Sequence, residues 1–393
     1  MLISGDDTRF GTHPTWMELD AQALRHNLEQ IRKRVASNII VIGSVKANGY
    51  GHGVLPICKI LEGAGVDMLT TGSFSDARIL RNGGITTPIV MLGGTLPAGI
   101  SELVQENFIP TIYNIEAANA ADVAAGSIGA NTKIPVFIKV DCGMGRLGTS
   151  LNDAVSFIEK VSKLKNLWIQ GLYTHLSFKD ENGMAFAKKR LALFYDLIIE
   201  LKKRGHNIPV TQALASSALA VRWQDQCSAI CPGHLLYGLP SIVSHLGNID
   251  EFLPVCKNVR TIVIHIANHQ DEPNLHSGGY HIERSLPKTG VVPFGLNDGN
   301  RSFSANKKPV VLFNGERFPV LGVSLEHLTF EMPNNVEINL GDVITIIGHS
   351  GDDCIKIEEY SSWFDSTSLE TMLSFSHRMP IIVTDEKLNR KLS

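Results

Sequence analysis

The sequence lacks the features that mark membrane, secreted and nucleic-acid-binding proteins. No stretch approaches the ~18 apolar residues of a membrane span, and residues 1–7 show neither the basic nor the apolar segment of a signal peptide. Lys and Arg (36) nearly balance Asp and Glu (39), without long runs of one sign, so the charge pattern gives no footprint for nucleic acid or an acidic membrane. We therefore expect a cytoplasmic protein that binds small molecules.

Disulfide chemistry also finds little support. The 393 residues include only 6 cysteines, none of them in a CxxC pair, which is typical of reduced thiols. The chain is nevertheless rich in core-forming material, since 44% of its residues are hydrophobic. At ~100–200 residues per domain, this length predicts two domains, or one barrel with an attachment.

Short β-branched apolar runs alternate with segments of helical period from about residue 16 to residue 235. Amphipathic helices are predicted over 20–35 and 185–203. The predicted strands cover 39–45, 67–71, 88–92, 109–112, 134–140, 168–174, 209–213 and 227–231. This α/β pattern predicts a (β/α)8 TIM-type barrel over 14–245, with its chemistry where strands end and loops begin.

The pattern changes after about residue 245, where Gly and Pro separate strands that have no helices between them. Strands are predicted over 291–294, 309–313 and 343–347. We therefore predict a mostly β C-terminal domain over 246–393.

Lys46 ends the first barrel strand and is followed by Gly49-Tyr50-Gly51-His52-Gly53. A lysine desolvated at a strand end can form a Schiff base with a carbonyl cofactor, whereas a lone lysine more often extends to solvent at the barrel rim. Residues 45–53 resemble the cofactor-lysine segment of the alanine racemases, pyridoxal 5′-phosphate (PLP) enzymes that combine such a barrel with a β domain. The resemblance implies PLP bound by Lys46, which also acts as a base, and a phosphate or active-site contact from Tyr50.

Three further barrel segments are similar to those of the family. The resemblance implies a carbamylated Lys139 that supports Arg146 near the substrate carboxylate, a His175 that stacks on the PLP ring, and a phosphate contact from Ser217. The residues alone leave other readings open: a structural salt bridge for Lys139, a core histidine for His175, and an ordinary helix N-cap for Ser217. The resemblance also implies a homodimer in which each barrel site is completed by the partner's β domain.

The segment from Cys231 to Gly238 departs from the family pattern at its first residue. Gly233 and His234 keep their places as cofactor contacts, but Cys231 stands where the family has an arginine against the pyridine nitrogen. A thiol there could donate a weak hydrogen bond, pair as a thiolate with a pyridinium, or be inert.

The β domain departs more strongly from the family. The second base of racemisation is a tyrosine in a Gly-Tyr-x-Asp-Gly turn, and Leu296 occupies that place. A Met-Asp-Gln segment becomes Leu325, Glu326 and His327, and Leu369 replaces a late phosphate-binding tyrosine. Leu296 and Leu325 would then face the substrate.

These departures predict a PLP enzyme that acts at Cα of an amino acid through a Lys46 aldimine with one-base, non-racemase chemistry. Retro-aldol cleavage, elimination, decarboxylation and transamination all fit that description. The alternative is an amino-acid racemase, acting on alanine for example, with a substitute second base, for which His327 and Tyr280 are the candidates.

Two other classes are less favoured. Non-catalytic PLP-binding proteins resemble the barrel alone, and the second domain argues against them. A metal-assisted relative would use ligands such as His349, Asp352 and Cys354, but their spacing is loose, and we assign no metal.

Overall fold

The computed structural model describes residues 14–129, 133–269, 275–277, 280–282, 288–304, 306–375 and 379–385. The chain divides into two compact units. The barrel unit is Ala23–Leu253, and the β unit contains the described residues of Met1–Gln22 and Pro254–Ser393. This division differs from the predicted boundaries at 14–245 and 246–393, because the strand Thr15–Asp20 pairs with strands of the β unit.

The described residues of the barrel unit contain eight parallel strands that close into a barrel. These are Ile40–Ser44, Met68–Thr71, Ile89–Met91, Ile109–Ile112, Ile134–Asp141, Leu167–Leu176, Val210–Leu214 and Ala229–Ile230. Ile40–Ser44 pairs with both Met68–Thr71 and Ala229–Ile230, which closes the cylinder. A short strand, Thr149–Ser150, pairs beside Ile134–Asp141. The predicted barrel is confirmed.

Helices connect the barrel strands. Their bounds are Ala21–Lys33, Lys46–Tyr50, Val54–Gly63, Phe74–Asn82, Pro97–Gln105, Ile115–Ser127, Leu151–Ser162, Glu181–Lys203 and Ser216–Ala220, with a 3-10 turn at His234–Tyr237. Glu181–Lys203 begins earlier than the predicted 185–203, because the Asp180 carboxylate accepts the Gly183 N–H at 2.8 Å as an N-cap. None of the helices that the structure describes is long and apolar enough to cross a bilayer.

Each barrel strand contributes one side chain to a shared buried cluster, made of Ile42, Met68, Val90, Ile109, Phe137, Tyr173, Val210 and Ala229. Phe137 takes the space beside Gly171, where an added Cβ would lie 2.4 Å from the ring. The Tyr173 hydroxyl lies 3.1 Å from Thr111 Oγ1, so its polar end is paired inside the apolar cylinder. The interior is therefore a packed core, and a ligand can bind only at the rim.

The β unit is built on one large sheet, as the prediction of a mostly β C-terminal domain requires. Its strand order is His265–Asn268, Lys288–Val292, Leu328–Met332, Glu316–Val323, Val310–Phe313, Val343–Ser350, Cys256–Ile262, Thr15–Asp20 and Ile381–Thr384. Asp353–Ile355 pairs beside Val343–Ser350, and Leu275–Ser277 forms a hairpin with Tyr280–Ile282. A 3-10 turn, Leu296–Asp298, and two short helices, Ile357–Trp363 and Ser368–Ser374, complete its described elements.

Candidate active site

The predicted site residues of the barrel unit follow the carboxyl ends of its strands. Lys46 comes two residues after Ser44, and Cys231 follows Ile230 directly. His175 is the next-to-last residue of the Leu167–Leu176 strand. Because the strands are parallel, these ends meet at one rim. The full set at this rim is Lys46, Tyr50, Lys139, Arg146, His175, Ser217, Cys231, Gly233 and His234.

Lys46 opens a turn of left-handed backbone. The φ angles are 51° at Ala47, 54° at Asn48, 63° at Gly49 and 55° at Tyr50. A left-handed conformation costs a residue with a Cβ roughly 1–2 kcal/mol, so this turn holds strain that its surroundings must offset. Half-buried Lys46 thus directly precedes four residues in a backbone conformation that is rare for residues with a Cβ.

Side-chain hydrogen bonds stabilise that turn. Asn48 Oδ1 accepts the Val54 N–H at 2.8 Å, which caps the following helix, and the Asn48 N–H donates to the buried Asp76 carboxylate at 3.2 Å. Asn also tolerates left-handed backbone better than most residues. The Ala-Asn-Gly segment after Lys46 therefore has a conformational purpose.

Aromatic rings pack beneath the turn. Tyr237 stacks with Tyr50 and also with His52, in both cases with ring centroids 4.8 Å apart. His234 meets Tyr50 edge-on at 5.6 Å. The Tyr237 hydroxyl donates to the Ser44 carbonyl at 3.1 Å, which ties the ring group to the strand that precedes Lys46.

Gly233 lies against the Tyr50 hydroxyl. A Cβ at Gly233 would stand 2.1 Å from the Tyr50 oxygen, so this close approach requires glycine. Ser216 Oγ accepts the N–H groups of Gly233 and Leu235 at 3.0 and 3.2 Å, which fixes the loop. Backbone and hydroxyl groups are thus brought side by side at this part of the rim.

Ser217 is the second residue of its helix, and Ala215 is the N-cap, so the reading of Ser217 as an ordinary N-cap is wrong. The side chain is buried, and its Oγ accepts the Phe178 N–H at 3.3 Å. Its hydroxyl hydrogen is still available to an acceptor.

The rim is electropositive. Burial, the largest cause, lowers the pKa of His175 to about 4. The positive charges of Lys46, Lys139 and Arg146 act in the same direction, as does His234 when it is protonated. Burial likewise lowers the pKa of His234 to about 4, with contributions from Lys46 and Lys179. Both imidazoles are therefore neutral at pH 7.

Lys139 is the most buried cation of the rim, with 5% of its surface exposed. Burial and then the charge of Arg146 lower its pKa to about 8. Its Nζ lies 5.3 Å from the centroid of the Tyr173 ring, a cation–π distance. A fraction of its amine is consequently unprotonated near neutral pH.

Asp141 organises the loop that carries Arg146. Its carboxylate accepts the N–H groups of Gly143 and Met144, both at 2.7 Å, and that of Arg146 at 3.1 Å. Burial alone would raise the pKa of Asp141, but these N–H groups lower it. The carboxylate thus serves the loop backbone, and the exposed Arg146 side chain extends from an anchored turn.

Cys231 packs half-buried against the barrel cluster. Burial raises the pKa of its thiol to about 11, although Lys46 opposes the shift. The thiol of the cofactor-free protein is therefore neutral at pH 7, which favours a hydrogen-bond donor or an inert side chain over a thiolate.

Both parts of the chain match models of one family. The alanine racemase N-terminal domain matches residues 19–241, and the alanine racemase C-terminal domain matches residues 257–383. The chain belongs to the alanine racemase family. It is therefore an enzyme of a PLP-dependent family that acts on small amino acids.

Relatives support this assignment over the whole length. An alanine racemase of Methanococcus maripaludis is 30% identical over 374 residues, which are 94% of this chain and 99% of that protein. The solved alanine racemase of Clostridium difficile 630 has a TM-score of 0.85 and 25% identity, covering 95% of this chain and 96% of that one. For the Bacillus anthracis alanine racemase the values are 0.83 and 26%, with 95% of each chain covered. These relatives favour the racemase alternative over the one-base prediction.

In the β unit, the substituted positions Leu296 and Leu325 lie in adjoining turns. The Leu296 N–H donates to the Ser324 carbonyl and the Asn297 N–H to the Leu325 carbonyl, both at 2.9 Å. Leu296 is 38% and Leu325 70% exposed, and His327 in the same turn is exposed as well. Two adjoining turns thus present two leucines and one imidazole to the surface of this unit.

Tyr280, Leu369 and the possible metal ligands are further β-unit residues that the sequence analysis names. Tyr280 begins the strand Tyr280–Ile282, but its side chain lies outside the described residues. Leu369 is half-buried in the Ser368–Ser374 helix. In the part of the chain that the structure describes, no three His, Cys, Asp or Glu side chains are grouped to hold a metal ion.

Sequence reasoning missed some residues that shape the rim. These residues are Ser216, whose hydroxyl accepts two loop amides, and Tyr237, whose ring stacks on Tyr50 and His52. Their contacts join segments far apart in the chain, such as Tyr237 and Ser44. A small polar residue and a tyrosine next to recognised motifs were the only available signals.

Proposed function

We propose that the protein is a PLP-dependent amino-acid racemase in which Lys46 transfers the Cα proton on one face of the substrate. The main observation behind this proposal is the position of Lys46 at the start of a strained turn on an electropositive barrel rim. The match to both domains of the alanine racemase family supports a racemase over retro-aldol, elimination, decarboxylation or transamination chemistry.

The rim suits PLP in charge and shape. Its positive charges favour a phosphate dianion and a carboxylate. The close contact with Gly233 places the Tyr50 hydroxyl beside the loop backbone. PLP, when bound, supplies the electron sink that stabilises the carbanion left when the Cα–H bond breaks. Tyr50, Ser217, Gly233 and His234 would hold the phosphate, His175 the ring face, Cys231 the ring nitrogen and Lys46 the carbonyl carbon.

Arg146 and Lys139 would orient the substrate. A guanidinium binds a carboxylate with two parallel hydrogen bonds, and Arg146 extends from a loop that Asp141 anchors. Lys139 is buried and close enough to Arg146 for that charge to lower its pKa, as a carbamylated support requires. Together they would fix which face of Cα meets the Lys46 amine.

Racemisation also needs a proton donor and acceptor on the opposite face, and leucine cannot act as one. His327 is the best candidate, because it is exposed in the turn that adjoins Leu296, and an imidazole exchanges protons near neutral pH. We propose a homodimer in which the partner's β unit presents His327, Leu296 and Leu325 to the barrel rim. The two leucines would line the substrate side chain.

Cofactor binding and racemisation are tested in sequence. The purified protein is treated with borohydride and the reduced adduct is mapped, and we expect it on Lys46 and not in Lys46→Ala. L- and D-alanine and larger amino acids are then incubated in deuterated water. Deuterium at Cα of both enantiomers supports racemisation. Deuterium with retained configuration only, or a cleaved product, would replace the proposal by one-base chemistry.

The second base is tested with His327→Ala, using His265→Ala as the matched control because His265 is also exposed in the β unit. We expect kcat of His327→Ala to fall by about 100-fold or more, the usual contribution of a general acid–base group, while exchange on the Lys46 face continues. The control should behave as wild type. Unchanged racemisation by His327→Ala would exclude His327.

A further inference from the structure

His52 lies in the turn after Lys46 and has no role in the proposed chemistry. Its side chain is fully buried, and its Nδ1 lies 2.9 Å from the Tyr50 carbonyl oxygen. Its Nε2 is also buried, and no hydrogen-bond partner for it exists among the described residues. A polar ring in such a place costs free energy, which indicates a purpose for its hydrogen bond to the Tyr50 carbonyl.

The direction of that bond follows from its partner. A carbonyl oxygen only accepts, so Nδ1 must carry the hydrogen and Nε2 must be the bare nitrogen of the neutral ring. Burial lowers the pKa of His52 to about 4, consistent with a neutral imidazole. His52 is thus one defined tautomer that donates to the backbone of Tyr50.

The Tyr50 carbonyl is a distinctive position in the left-handed turn. The carbonyls of Ala47, Asn48 and Gly49 accept the N–H groups of Gly51, Gly53 and His52, at 2.9 to 3.0 Å. The Tyr50 carbonyl instead receives the imidazole. The same imidazole stacks on Tyr237, which stacks on Tyr50, so one side chain holds both the backbone and the ring of Tyr50.

We propose that His52 is a positioning residue that sets the Tyr50 hydroxyl against Gly233, where the cofactor phosphate would bind. This inference rests on the proposed function, because it assigns the positioned hydroxyl to PLP. It predicts that affinity for PLP, and not only stability, depends on a donor at the Nδ1 position.

The test compares two amide substitutions, since both remove the imidazole stack. In His52→Asn the amide nitrogen takes the place of Nδ1, whereas in His52→Gln it reaches the place of Nε2. We expect apo His52→Asn to bind PLP about tenfold more tightly than apo His52→Gln, which corresponds to ~1.4 kcal/mol, the scale of one buried hydrogen bond. Equal affinities, with equal melting temperatures, would overturn the proposal.

A double-mutant cycle with Tyr50→Phe shows whether His52 acts through Tyr50. If it does, the loss of PLP affinity in His52→Gln/Tyr50→Phe is smaller than the product of the two single losses. Additive losses would overturn the inference while a reducible Lys46 adduct in the wild type still supports the proposed function. A wild-type protein without that adduct would overturn both.

Discussion

At the scale of single residues, burial of Lys139 in the barrel rim lowers the stability of the free protein. Lys139 is nearly fully buried among other cations, so the folded state resists its protonation. In the proposed function, an anionic ligand or a covalent change at the amine would relieve this cost. Burial of the charged Lys139 amine should therefore lower the free energy of unfolding of the ligand-free protein by a measurable amount.

The penalty has a defined pH window. The pKa of Lys139 falls from its ordinary 10.5 to about 8 on folding, so the unfolded chain binds more protons between these values and stability rises with pH across them. Below pH 8 the penalty is complete. We expect Lys139→Met to raise the free energy of unfolding at pH 7 by on the order of 2 kcal/mol and to flatten this rise.

Urea denaturation of the apo protein at pH 7 and pH 10 in carbonate-free buffer provides the measurement. Lys163→Met, at an exposed lysine, is the matched control and should leave the free energy of unfolding unchanged at both pH values. A Lys139→Met protein less stable than wild type at pH 7 would contradict the interpretation.

Lys46 and its motif were predictable from the sequence, because the strand end and the following glycines are local features. The left-handed turn was not, since Ala47 and Tyr50 are residues that rarely adopt positive φ. The turn is stabilised by tertiary partners such as Asp76, which accepts the Asn48 N–H from 28 residues along the chain. Sequence reasoning thus identifies the proposed reactive group better than the backbone geometry around it.

At the scale of elements, strand Leu167–Leu176 shows how tightly the barrel is filled. Gly171 has no side chain because the Phe137 ring occupies that space from the neighbouring strand. Glycine is needed at this position for its small volume and not for its backbone freedom, because a larger side chain would overlap the Phe137 ring.

We expect Gly171→Ala to destabilise the protein by about 1–3 kcal/mol through overpacking, and Gly171→Ala/Phe137→Leu to regain part of this loss. Gly63→Ala is the control, because its Cβ would meet nothing within 4 Å. Thermal unfolding of the apo protein compares the three. A melting temperature of Gly171→Ala equal to that of Gly63→Ala would refute the packing argument.

The eight barrel strands were predictable because parallel strands buried on both faces read as continuous apolar runs. Thr15–Asp20 was not recognised as part of the β unit. Its partners, Cys256–Ile262 and Ile381–Thr384, lie more than 200 residues away, and only tertiary pairing defines its place.

At the scale of the whole molecule, the proposed homodimer divides the chemistry between two chains. Lys46→Ala lacks the barrel amine and His327→Ala the β-unit imidazole, and each homodimer should be nearly inactive. If sites are shared, mixing equal amounts after dissociation should restore about a quarter of wild-type activity, from hybrids with one intact site. Racemase assays before and after mixing test this. No recovery, with hybrids verified by mass spectrometry, would place both groups in one chain.

The order of strands in the β unit has a consequence for biosynthesis. Thr15–Asp20 leaves the ribosome early, but it lies between Cys256–Ile262 and Ile381–Thr384 in the finished sheet. At 5–20 residues per second it waits roughly tens of seconds for these neighbours, while the barrel segment emerges without interruption. A polypeptide that is truncated before Ile381 leaves Thr15–Asp20 as an unpaired edge strand, which can pair with other nascent chains.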